Sequence, residues 1–229
     1  HLEAAEHLDE PDGRQADRHH DPGEQVEPQR APSPEVELAQ PVGRERYRFT
    51  PEMMGHVRAY LAGSEEAGDE AEVGVARSGL AIALVVSNEL EEAEMHLRLI
   101  LRLAERTGDM MLRARGLGYL ALLHRMRGQR EEARSVGTQA LAVAEGGKML
   151  DYTGLARANL AWVAWREGRT AEAEQGFRAS LTYWQPPAYV FPFQWVALLP
   201  LMVMAPERSL LEEAVGHAGK HRHGDERYG

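Results

Sequence analysis

Three stretches of this chain repeat one residue pattern at a spacing of 40. They are Leu80-Ala81 with Asn88 and Glu91-Glu92-Ala93, Leu120-Ala121 with Gly128 and Glu131-Glu132-Ala133, and Leu160-Ala161 with Gly168 and Ala171-Glu172-Ala173. A period of that length requires units that stack on copies of themselves, because a lone unit leaves two apolar faces in water. The spacing inside each unit is helical. In the middle copy Ala133, Val136, Gly137, Ala140, Leu141 and Ala144 recur at intervals of three and four, which places them on one stripe of a helix. Ala93, His96, Leu97, Ile100, Leu101 and Ala104 repeat it in the first copy, and Ala173, Gly176, Phe177, Ser180, Leu181 and Trp184 in the third. Asn88, Gly128 and Gly168 fall where a first helix must end and the chain reverse, and all three tolerate the left-handed conformation such a reversal uses. A weaker fourth copy aligns through Leu198, Leu201 and Glu212-Glu213-Ala214, with Pro200 kinking its first helix or delaying its start. The sequence therefore predicts an all-α fold of stacked antiparallel helix pairs.

The residues before the repeats have a different composition. Residues 1–46 hold twelve Asp or Glu against five Arg and no Lys, a net charge of −7, and they are Pro-rich with few large apolar side chains. Such a segment cannot bury enough surface to offset its ordering entropy, so we expect a disordered acidic leader over 1–46. A repeat domain over 47–219 and a disordered tail over 220–229 complete the expected organisation. Ordered structure is expected from Thr50-Pro51-Glu52, where Thr50 can cap, Pro51 suits a first helical turn and Glu52 complements the helix dipole. Met53, Met54, Val57, Tyr60 and Leu61 then share one face, and Gly63 offers a stop. The other 24 acidic and 21 basic residues leave the body nearly neutral, which gives no support for binding nucleic acid directly. No cysteine is present, so disulfides and thiolate metal sites are excluded. The longest strongly apolar run, Trp195 to Ala205, is too short to span a bilayer, and a cytoplasmic protein is expected. The opening at His1, without a signal-peptide pattern, fits the downstream part of a larger protein.

The pattern resembles the tetratricopeptide repeat over about residues 71–219. Leu120-Ala121, Gly128 and Ala133, then Leu160-Ala161, Gly168, Ala173 and Phe177, match the apolar, small, turn and aromatic positions of that family. Departures are His124 and Ala164 at a position usually Tyr, and a period longer than the usual 34. The stretch Ala156 to Gly168, followed by Pro192-Phe193-Gln194-Trp195, is similar to the carboxyl-terminal repeats of large bacterial signalling ATPases and transcriptional regulators. The resemblance implies a right-handed superhelix whose first helices line a concave groove. It also implies a protein-binding, regulatory role in signal transduction or transcription control. The partner would be a protein or peptide, or a small-molecule inducer. On the second and third first helices the groove positions would be Arg115, Tyr119, Leu122, Arg125 and Met126, then Leu155, Asn159, Trp162, Trp165 and Arg166. Asn159 stands where some members carry a peptide-clamping Asn, but Gly79 and Tyr119 occupy the accompanying places, so that clamp is not expected.

Few residues suggest chemistry. Gly146-Gly147-Lys148-Met149 is the nearest approach to a phosphate-binding loop, and Ala142 and Met149 replace the first Gly and the hydroxyl residue. His217, His221 and His223 lack an accompanying carboxylate at a recognised ligand spacing. We therefore expect no catalytic residue, metal or cofactor, and a chain that is not itself an enzyme. The alternative is a structural arm of a nucleotide-binding ATPase or cyclase whose catalytic domain lies upstream, and a third reading is a self-assembly scaffold.

Overall fold

A computed structural model describes residues 49–184 and 194–219. Among them the chain forms nine helices and no strand: α1 (Pro51–Ala67), α2 (Glu70–Val86), α3 (Leu90–Thr107), α4 (Met110–Met126), α5 (Arg130–Gly146), α6 (Leu150–Arg166), α7 (Thr170–Thr182), α8 (Trp195–Met204) and α9 (Arg208–Gly219). The starts of α2, α4 and α6, and those of α3, α5 and α7, are each 40 residues apart, so the sequence period is the structural one. The expected leader over 1–46, the tail over 220–229, and His221 and His223 lie outside the described residues.

Local chemistry sets the helix ends. Thr50 accepts from the Met53 N–H, Asp69 from those of Ala71 and Glu72, and Asp109 from that of Leu112, so α1, α2 and α4 each begin on a capping side chain. The second helices have no side-chain cap and instead carry glutamates in their first turns: Glu91 and Glu92 in α3, Glu131 and Glu132 in α5, Glu172 in α7. Asn88, Gly128 and Gly168 adopt φ of 63°, 73° and 81°, as their positions required. The next residue's N–H then returns to the carbonyl five residues before it, as in Glu89 to Leu84, Gln129 to His124 and Arg169 to Ala164. Gly68, Gly108 and Lys148 end α1, α3 and α5 in the same left-handed region, and Lys148 does so without glycine's freedom. Gly63 does not stop α1. Its backbone costs the helix only about 1 kcal/mol, and the helix continues past it to bury Ser64, whose hydroxyl donates to the Tyr60 carbonyl.

Consecutive helices pack against one another from α1 to α9, around one main core. Leu120 and Leu181 are buried, and Leu141 and Leu160 are half-buried. The first helices also touch each other directly, α2 on α4, α4 on α6 and α6 on α8, whereas no comparable contact joins α3 to α5 or α5 to α7 among the described residues. Closer spacing of the first helices makes theirs the inner layer. Gly154 permits a close approach, because a Cβ there would lie 2.7 Å from the indole of Trp184. That indole is buried and donates to the Asp151 carbonyl at 3.1 Å, which pins the end of the third pair to the start of α6. Residues 185–193 lie outside the described residues, but Gln194 just beyond them donates to the Trp184 carbonyl at 2.9 Å. The fourth pair forms with Pro200 inside α8 and with Leu198 and Leu201 fully buried. No described helix is long and apolar enough to cross a membrane.

Candidate functional site at the inner layer of first helices

The structure distributes the expected groove residues between the interior and the surface of the inner layer. Tyr119, Leu122, Leu155, Asn159 and Trp162 are buried, with Trp162 retaining 9% exposure. The Asn159 amide donates to the Gly118 carbonyl at 3.1 Å and so ties α6 to α4, while its Oδ1 has no partner. Arg115 is half-buried, donates from Nε to the Tyr152 hydroxyl at 2.7 Å and lies 6.0 Å from that ring's centre. These side chains therefore join helices, and the expectation that all ten positions line an open groove is corrected for the buried ones. Met126 and Arg166 are exposed and Trp165 is half-buried. Met126 and Arg166 are the last residues of α4 and α6, which pack side by side, and Arg130 at the start of α5 donates to the Arg166 carbonyl.

Arg125 has the most specific environment. Its Nη2 donates to the Val196 carbonyl of α8 at 2.7 Å, and its Nη1 lies 3.5 Å from the Ala158 carbonyl of α6. Pro200 explains the first bond. In an uninterrupted helix the Val196 carbonyl would accept from residue 200, and proline has no N–H to give. Arg125 supplies the missing donor from two helix pairs away. The rings of Trp162 and Phe177 flank the guanidinium, 6.0 and 5.8 Å from their centres. Burial lowers its pKa to about 9, so it remains a cation at neutral pH, held by carbonyl dipoles and π faces, with no carboxylate paired to it among the described residues. Pro200 signalled a freed carbonyl in the sequence, but nothing in the local pattern identified its donor.

A second constellation recurs with the period and was not singled out from the sequence. Arg77 of α2 pairs with Glu65 of α1, and Arg157 of α6, 80 residues later, pairs with Glu145 of α5, also 80 residues later. Each pair spans twelve residues, a coincidence of spacing that the sequence did contain. Arg77 also lies 3.3 Å from His96 Nδ1. Burial, then the Arg77 charge, hold the His96 pKa below its usual value, so that ring is neutral at pH 7.

Among the described residues no cluster of three His, Cys, Asp or Glu is placed to hold a metal ion. The fold and this layer define a stack of antiparallel helical pairs. No family model matches the sequence, and no curated protein matches it either.

Proposed function

We propose that this chain is a regulatory interaction module of a bacterial signalling or transcription-control protein, built like a tetratricopeptide-repeat domain. It binds a protein or peptide partner on the inner layer of first helices. The observation that carries this reading is the accessible group of Met126, Trp165 and Arg166 at the adjoining ends of α4 and α6. Aromatic and Arg side chains of this kind dominate binding energy at protein interfaces because they combine large apolar area with directed hydrogen bonds. Beneath them Asn159, Trp162 and Arg125 are engaged in contacts between helices. Binding would act by equilibrium, the partner favouring whichever arrangement of the parent protein exposes this surface best. The test is site-specific photo-crosslinking in the parent protein, with the crosslinker at Trp165 and, as control, at the exposed Met95 of α3. Adducts from position 165 and none from 95 support the reading, and equal yields refute it.

A further inference from the structure

The two Glu–Arg pairs differ in what covers the arginine. In the third pair the Tyr183 ring lies over Arg157, its centre 5.7 Å from the guanidinium carbon. The residue one double period earlier is Leu103, and beside it the surface opens into a cleft of about 440 Å³ lined by Val73, Arg77, Leu99, Arg102, Leu103 and Arg106. The middle pair has Leu117 in place of the arginine and Val143 in place of the ring. So the first pair keeps the arginine and its carboxylate but lacks the ring that covers their counterpart.

The rim of this cleft is also particular to the first pair. Arg102 and Arg106 stand where the second pair has Ala142 and Gly146, and Arg102 stands where the third has Thr182, so stacking does not call for arginine there. Arg106 is paired with Glu70, whereas Arg102 is exposed and has no hydrogen-bond or ion-pair partner among the described residues. Arg77 lines the cleft with 14% of its side chain accessible, and its edge already meets Glu65 and His96.

We infer that this cleft binds a small aromatic carboxylic acid, its ring over Arg77 in the place Tyr183 takes over Arg157 and its carboxylate on Arg102. An aromatic ring suits the guanidinium face, Val73, Leu99 and Leu103 supply apolar walls, and a carboxylate matches the one unpaired cation at the rim. The site is separate from the surface at the ends of α4 and α6, so its failure leaves the partner-binding reading standing.

The experiment is a calorimetric titration of the full chain with 2-naphthoate, compared with 2-naphthalenemethanol, which keeps the ring and removes the charge. Saturable binding of one naphthoate per chain, with the alcohol bound far more weakly, is expected. Arg102→Ala should weaken naphthoate about tenfold, the worth of one charge-assisted hydrogen bond, with an unchanged circular dichroism spectrum. Leu103→Tyr should abolish binding by rebuilding the ring found at Tyr183, and if that variant unfolds, Arg102→Ala decides. No saturable binding, equal affinity for the alcohol, or unchanged affinity in Arg102→Ala overturns the inference.

Discussion

Replacing Arg125 by Met removes the side-chain donor to the Val196 carbonyl, which belongs to a fully buried residue. An orphaned buried carbonyl costs about 1–3 kcal/mol, and loss of the contacts with Trp162 and Phe177 adds about 1 kcal/mol. Against this, Met needs no desolvation of a charge, so the single substitution mixes terms of opposite sign. A double-mutant cycle with Pro200→Ala isolates the bond. Alanine restores an N–H at position 200, and the Val196 carbonyl regains its ordinary helical donor whether or not Arg125 is present. The desolvation and π terms occur in both backgrounds and cancel, leaving a coupling of about 1–2 kcal/mol. Urea denaturation followed by circular dichroism, with tryptophan fluorescence as a second probe, measures all four proteins. We expect Arg125→Met to cost more when Pro200 is present than in the Pro200→Ala background. Equal cost in both backgrounds would refute the claim that this arginine replaces the proline's missing N–H.

Further expectations follow from single positions. Gly154→Ala should destabilise by about 1–3 kcal/mol, because its Cβ would lie 2.7 Å from the Trp184 indole, whereas Gly63→Ala, with nothing within 4 Å, should stabilise by about 0.5–1 kcal/mol; thermal melts of the two distinguish packing from helix propensity. Lys148→Gly should raise the urea midpoint, worth about 1 kcal/mol, since φ is 54° there and the equivalent Gly108 has 72°. His96 has a lowered pKa, so the unfolded chain takes up its proton first as pH falls and the folded state loses stability from about pH 6.5 downward. His96→Gln should therefore lose less stability than the wild type between pH 7 and pH 5, read from melts at each pH.

The fold was legible because three levels of sequence agree. Period, helical stripe and turn residue all place the reversals at Asn88, Gly128 and Gly168, and all three adopt the conformation that reading required. Gly63 was misread for the opposite reason: a lone glycine costs a helix little, and burial beyond it decided the outcome. The candidate surface was less legible. Helical spacing assigns a residue to a face of its helix but not to a depth in the stack, so the buried Trp162 and Asn159 read like their exposed neighbour Arg166. Arg125 owes its environment to α8, whose start departs from the 40-residue period, and no local pattern encodes that contact.

The account depends on helix pairs that are stable only against their neighbours. The most direct measurement is the far-UV circular dichroism and urea midpoint of residues 110–149, one pair alone, beside those of residues 49–184, the three pairs with α1. The account predicts an unfolded single pair and a cooperative helical transition for the longer segment. A single pair that is fully helical, with a midpoint matching that of the stack, would contradict it.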